Sequence, residues 1–261
     1  MPAPGGPVKR RRSEALARTG LLSTLFSLMS THEIRNTDSV ARAYDRLAPF
    51  YDLVWDGLFA SRAHRLALRR AALKRGESFL DLGVGTGLTF VPMVQANPDG
   101  RNEGVDISQG MLHVCRRRLE NAGLHNYTLH QADARELPFD EGEFDVVLAC
   151  YLFDTLPASD WAQTMGEIQR VLREGGRVVL TTLVGKPPRA YELLLEKLPG
   201  VVAWLHPTTN LANRLVDAGF LDVSTADYSY GWTRSEVLRG VRVAGDHPFE
   251  PTHLVEGVAR S

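Results

Sequence analysis

Short apolar runs alternate through the middle of the chain with stretches in which apolar residues recur every three or four positions. The runs Phe79–Leu82, Glu103–Asp106, Tyr127–Ala132, Phe144–Cys150 and Arg177–Thr182 read as five strands. Phe144–Cys150 is apolar at almost every position, which suits a strand buried on both faces. Between the runs, the spacing predicts helices over Leu88–Ala96 and Gln109–Ala122, and a third through Trp161, Met165, Ile168, Val171 and Leu172. Ser108 is placed to cap the second, Gly123 to stop it, and Gly175-Gly176 to end the third. Strands and helices in this alternation predict an α/β fold: a mostly parallel, doubly wound sheet with helices on both faces.

The flanks are less regular. Val40, Tyr44, Leu47, Tyr51, Val54 and Trp55 recur at helical spacing, and Pro49 divides them into two short helices. Leu58–Leu73 follows as an amphipathic helix with Leu66, Leu68 and Leu73 among Arg62, Arg65, Arg69 and Arg70, whose basic face is either solvated or turned to a phosphate-bearing substrate. After Pro187-Pro188, a helix is expected over Ala190–Leu198, then one capped by Thr208 or Thr209 and ending at Gly219. Val223–Tyr230 and Val237–Val243 read as the last two strands, antiparallel to the others or to each other.

Composition adds limits. The 261 residues are 44% hydrophobic and 23% charged with net charge −1, an ordinary globular balance with no global field for nucleic acid. Two cysteines, Cys115 and Cys150, support neither a disulfide framework nor a cysteine metal site, and fit a reducing, cytoplasmic setting. No apolar run reaches the ~18 residues of a membrane span. The division expected is 1–36 outside the fold, 37–245 one domain with 37–75 as its helical cap, and 246–261 a tail. The first segment has Lys9-Arg10-Arg11-Arg12 before Leu21–Met29. It reads as a flexible tail, as a stretch upstream of a start at Met29, as a signal-like segment or as a peripheral amphipathic anchor.

Chemistry gathers at the strand ends. Gly83, Gly85 and Gly87 form a turn between the first strand and its helix, with Asp81 two residues before the first glycine. Alternate glycines let backbone N–H groups approach a ligand with no Cβ in the way. The dinucleotide fingerprint would need glycine at Leu88. Asp106 ends the second strand, where a carboxylate can accept two ribose hydroxyls. Asp133-Ala134 ends the third and Cys150-Tyr151-Leu152 follows the fourth. In an open α/β sheet these ends share one rim, and ligands bind there.

The ordered set Leu80–Gly87, Val105-Asp106-Ile107-Ser108, Asp133-Ala134, Phe144-Asp145-Val146-Val147 and Leu172–Gly176 resembles the motifs of class I S-adenosylmethionine (SAM) methyltransferases, over about Asp38 to Thr182. The resemblance implies SAM as cofactor and no metal. It places Asp81 and the glycines by the methionine moiety, Asp106 and Ile107 at the ribose, Asp133 and Ala134 at adenine, and Cys150 beside the cofactor. It also implies a seven-stranded, Rossmann-like sheet with an antiparallel last strand. Ala43–Asp52 is similar to the N-terminal cap of the phosphatidylethanolamine-type and quinone-type enzymes (methyltransferase type 11-like), in which paired tyrosines face the substrate; here these are Tyr44 and Tyr51. The quinone-type Gly-Ile-Arg-Asn stretch is replaced by Cys150-Tyr151-Leu152-Phe153-Asp154, which favours the lipid type.

The expectation is methyl transfer to a small or amphiphilic acceptor, first a phospholipid head-group amine, with Leu193–Leu205 and Trp204 either meeting an acyl chain or a membrane surface or filling the core. A quinone or another small metabolite is the alternative within enzymes, and a non-catalytic SAM-binding regulator or scaffold is the alternative outside them. Tyr44, Tyr51, Tyr151, Asp154 and His206 are the candidate proton acceptors. No nucleic-acid partner is expected, and the oligomeric state is left open.

Overall fold

The apolar runs become the interior of one sheet. The computed structural model describes residues 41, 42, 44, 45, 48, 61–184, 210–230 and 233–243. Along the chain come α1 (Ser61–Ala71), β1 (Phe79–Leu82), α2 (Phe90–Ala96), β2 (Asn102–Asp106), α3 (Gln109–Asn121), β3 (Thr128–Gln131) and β4 (Phe144–Cys150). Then follow a 3-10 turn (Ala158–Asp160), α4 (Trp161–Val171), β5 (Leu172–Val184), α5 (Leu211–Asp217), β6 (Phe220–Tyr230) and β7 (Thr233–Arg242). The strand order is β3-β2-β1-β4-β5-β7-β6. β1 pairs in parallel with β2 and β4, β2 with β3, and β4 with β5. β7 inserts antiparallel between β5 and β6. The chain therefore winds outward from β1 to β3, then returns to β4 on the other side. The crevice at that reversal opens beyond the carboxyl ends of β1 and β4.

Side-chain alternation along the strands divides the core into two layers. Leu80, Leu82, Val147, Ala149, Val178 and Leu180 face the layer closed by α4 and α5. Phe79, Val146, Leu148 and Val179 face the other, with α1, α2 and α3. Both layers are buried, which is why β1 and β4 read as continuous apolar runs. Asp81 is the exception within β1, and it is 1% exposed.

Several element boundaries differ from the expectation, each for a local reason. α2 starts at Phe90, not Leu88, because Leu88 and Thr89 still belong to the turn and the Thr89 hydroxyl bonds Asp81 instead of capping the helix. α4 ends at Val171, where Leu172 already has extended backbone (φ −71°, ψ 138°). Gly175-Gly176 does not end this helix: both lie within β5, in the irregular stretch where its register against β4 jumps from Leu172 to Arg177. Asn210, in the left-handed region at φ 64° with no side-chain cap bond, precedes α5; Thr208, Thr209 and the helix expected over Ala190–Leu198 lie outside the described residues. β6 and β7 pair antiparallel from Phe220↔Arg242 to Tyr230↔Thr233.

The helix α1 buries different residues than expected. Its fully buried stripe is Ala63, Ala67 and Ala71, while Leu66 and Leu68 are only partly buried. Small side chains let the helix lie close to the sheet. Arg177 of β5 donates to the carbonyls of Ala71 and Ala72 and to the Glu77 carboxylate, satisfying the end of α1. The basic face is not uniformly solvated: Arg65 and Arg69 are exposed, whereas Arg70 donates to the backbone carbonyl and hydroxyl of Ser224 on β6. Among the described residues, no helix is long and apolar enough to cross a membrane.

Candidate active site

Asp81 anchors the turn from below. Its Oδ2 accepts the Thr89 hydroxyl at 2.7 Å, and its Oδ1 is buried with no hydrogen-bond partner. Burial pushes its carboxyl up to about 7, with the Thr89 bond opposing the rise and the Asp106 charge adding to it. Above it, the N–H groups of Gly83 and Val84 donate to the Val105 carbonyl at 2.8 and 3.0 Å, which fastens the turn to β2. Gly85 N–H then donates to Asp106 Oδ2 at 2.8 Å.

Two of the glycines are required for different reasons. At Gly85, φ is +53° and a Cβ would find only the Gly83 carbonyl, 3.9 Å away, so the position faces open room. At Gly87, φ is +85° and a Cβ would lie 2.7 Å from Cys115 Sγ, so the position faces a filled core. Burial pushes the Cys115 thiol up to about 12, with the Asp81 charge adding to the rise, and this keeps it neutral.

Asp106 is held from both sides. Its Oδ1 accepts Ser108 N–H at 2.9 Å while Oδ2 takes Gly85 N–H. Burial pushes its carboxyl up to about 6, against these backbone donors, and the nearby Asp45 charge contributes. Ile107 follows, half-buried, with its carbonyl accepting from Gln131. The next strand end is tied on by Ala132 N–H to the Asp106 carbonyl at 3.2 Å. Beyond it, Asp133 is half-buried and Ala134 buried. Both Asp133 oxygens meet the Arg135 guanidinium, at 2.6 to 3.1 Å, and Arg135 also donates to Asp160 at 2.7 Å. Burial alone would raise the Asp133 carboxyl, but the Arg135 bonds outweigh it and hold the group below its ordinary value.

Past β4, Cys150 Sγ lies 3.5 Å from Thr181 Oγ1, and burial with the Asp81 charge pushes its thiol up. Tyr151 sits at φ +59°, an uncommon conformation for a bulky residue. Its N–H donates to the Thr181 carbonyl at 2.7 Å, its hydroxyl meets Ser235 Oγ at 3.0 Å, and its ring meets His64 edge-on at 5.6 Å. Asp154 is fully buried: Oδ1 accepts Thr182 Oγ1 at 2.8 Å and Leu183 N–H at 3.1 Å, while Oδ2 has no partner. These bonds tie the loop after β4 to the end of β5.

Burial also pushes the Asp154 carboxyl up to about 7. A carboxyl whose folded value is raised binds more protons folded than unfolded. Its contribution is therefore largest at low pH and is lost as pH rises from about 4 through about 7. Asp154→Asn, which keeps the Oδ1 acceptor and removes the charge, should flatten that part of the stability profile and leave the protein at least as stable as wild type at pH of about 8. Asp154→Ala should cost about 1–3 kcal/mol at low pH, since Thr182 and Leu183 lose their acceptor, and less as pH rises and the wild-type carboxyl ionises. Urea unfolding at several pH values measures both.

The structure thus brings Asp81, Gly83, Gly85, Gly87, Asp106 and Ile107 to one corner, with Asp133-Ala134 on one flank and Cys150 on the other. Tyr44 is helical and half-buried, next to Asp45. Tyr51, His206 and the segment Leu193–Leu205 lie outside the described residues. Sequence reasoning missed Thr89, Arg135 and Asp45. The local Asp-x-Arg spacing was a signal for Arg135; Thr89 and Asp45 had none, because they meet their partners only through the fold.

A methyltransferase domain family model matches residues 79–176. The phosphatidylethanolamine N-methyltransferase of Cereibacter sphaeroides is 34% identical over 171 residues, covering 64% of this chain and 80% of that relative. The demethylmenaquinone methyltransferase of Symbiobacterium thermophilum is 34% identical over 145 residues, covering 54% of this chain; the chain spans 57% of that relative's length. Among solved structures, Haemonchus contortus phosphoethanolamine N-methyltransferase 2 in complex with S-adenosyl-L-methionine superposes with a TM-score of 0.64 at 18% identity, covering 82% of this chain and 61% of that one. At that identity the likeness concerns the fold.

Proposed function

Because this chain belongs to the class I SAM-dependent methyltransferases, we propose that it moves a methyl group from SAM to an amine on a phospholipid head group. The observation that supports the cofactor site is the joint hold of Gly85 and Ser108 N–H on one carboxylate, Asp106, beside the open room at Gly85. The residues fit an adenosyl sulfonium. Asp106 retains lone pairs for the ribose hydroxyls. The partnerless Asp81 Oδ1 suits a cationic methionine ammonium. Asp133, kept ionised by Arg135, still has acceptor sites for an adenine amine, since a carboxylate offers about four. The Ala134 backbone would flank the ring.

SAM, when bound, supplies the electrophilic methyl. The chain's own task is to align an incoming nucleophile with it and to exclude water, which can supply several kcal/mol. Tyr151 is the proposed acceptor-side residue: the left-handed backbone, held by Thr181 and Ser235, fixes its ring at the carboxyl end of β4. Tyr44 of the cap is the second proposed acceptor-side residue; Tyr51, its expected partner, lies outside the described residues. Asp154, buried and bonded to β5, serves to hold this loop rather than to take a proton from the acceptor.

The loop Cys150–Asp154 in place of Gly-Ile-Arg-Asn favours the lipid amine, and the Cereibacter relative supports it. The Symbiobacterium relative supports a quinone acceptor as the second reading. Incubation with methyl-labelled SAM and either phosphatidylethanolamine vesicles or demethylated quinone separates them. Label in methylated phospholipid is expected. Label only in quinone or in water-soluble products rejects the lipid acceptor. Calorimetric SAM binding with no transfer to any acceptor would instead mark a regulator or scaffold.

A further inference from the structure

The cap segment touches the cofactor corner through one side chain. Asp45 Oδ1 accepts Ser108 Oγ–H at 2.6 Å and Gly110 N–H at 2.7 Å. Ser108 is the hub of the corner. Its N–H holds Asp106, its hydroxyl hydrogen is committed to Asp45, and its oxygen accepts Met111 N–H at 3.1 Å as the cap of α3. Gly110 gives an independent sign of the same contact. A Cβ there would lie 2.8 Å from Asp45 Cα and 3.0 Å from its carbonyl oxygen, so only glycine admits the cap backbone at this distance. Glycine one position into a helix is otherwise unfavourable. The approach is tight enough to dictate the residue.

We propose that Asp45 is a positioning residue: it latches the segment bearing Tyr44 onto the first turn of α3 and so holds Ser108 and Asp106 in the orientation that grips SAM. The inference rests on the cofactor reading above. Physically, the latch joins two jobs. Two donors at a helix N-terminus, one of them a backbone N–H, are neutralised by an anion, where an anion is favoured. The same bonds bring the tyrosine-bearing cap to the cofactor side of the crevice. Cofactor binding and cap seating are thereby coupled, each stabilising the other. Among the described residues, no basic side chain pairs with Asp45 or Asp106, so the latch is made by these donors.

The test uses the full chain with Asp45→Ala, Asp45→Asn and Gly110→Ala. Asp45→Asn retains an oxygen for both donors. Calorimetry should show SAM binding about tenfold weaker in Asp45→Ala and Gly110→Ala, and within about threefold of wild type in Asp45→Asn. Without cofactor, the Gly110 amide should exchange faster with solvent in Asp45→Ala and near the wild-type rate in Asp45→Asn. Unchanged SAM affinity in both Asp45→Ala and Gly110→Ala, or Asp45→Asn no better than Asp45→Ala, overturns the latch. A wild-type protein that ignores SAM overturns the cofactor reading first, and the latch with it.

Discussion

Asp106→Ala is expected to weaken SAM binding by about 100-fold or more, with the folded protein retained. Hydrogen bonds to a charged acceptor contribute about 1.5–3 kcal/mol each, and the variant removes the acceptor for both ribose hydroxyls. It also frees Gly85 N–H and Ser108 N–H, the two donors that shape the turn. Calorimetry with SAM measures the first effect and thermal unfolding checks the second. A variant that binds SAM within a few-fold of wild type would remove Asp106 from the site. The same carboxylates give the wild type a pH signature. Burial raises Asp81 to about 7 and Asp106 to about 6, so acid neutralises both before it neutralises ordinary carboxyls. A cationic donor needs them ionised. SAM affinity should therefore fall as pH drops from about 8 to about 5, while fold stability attributable to the same two groups moves the opposite way. Protonation helps the buried carboxyls fold and harms their use, and the two trends crossing in one sample would separate ligand binding from stability.

Gly87→Ala is expected to destabilise the fold by about 2–4 kcal/mol, from backbone strain and from overpacking. Its new methyl would sit 2.7 Å from Cys115 Sγ, which is buried and has nowhere to go. Gly85→Ala is the contrasting variant. Strain at φ +53° should cost about 1–2 kcal/mol, with no clash inside the protein. Its methyl would enter the open room proposed for the cofactor, so SAM affinity should fall further than stability does. Urea unfolding of the two variants together with SAM calorimetry gives the comparison. Equal stability losses with unaffected binding in Gly85→Ala would show that this side of the turn does not face the ligand. Gly83 belongs with neither, because its role is to let Val105 take two consecutive amides.

How much of this was legible beforehand depends on the distance in sequence between the partners. Phe144–Cys150 was readable to the residue because burial on both faces keeps every position but Asp145 apolar or small. The cap Ser108 and its helix were readable because donor and acceptor lie three residues apart. The β6–β7 pair was readable as two strands, but that β7 lies between β5 and β6, leaving β6 at the edge, was not, since edge choice is settled by which strand offers a partner. α1 misled in an instructive way. Its leucines looked like the buried stripe, yet alanines fill it, because the sheet surface beneath decides how close a helix can come. Gly175-Gly176 looked like a helix stop and proved to be a strand irregularity, since both uses call for the same backbone freedom. At the site, the Asp81 to Gly87 corner was visible as spacing. That Arg135 also reaches Asp160, that Asp154 is fully buried against β5, and that Asp45 reaches Ser108 were visible only in three dimensions.

The amino-acid order by itself determined the strand–helix alternation, the glycine corner and the rim of carboxylates, because each rests on near neighbours and on a repeat of two or 3.6 residues. Tertiary structure alone decided which carboxylate meets which donor, which acids are pushed up by burial, and which glycine faces room and which faces core. Those properties arise from desolvation and from contacts between residues as far apart as Asp45 and Gly110, and neither quantity exists until the chain has closed around them.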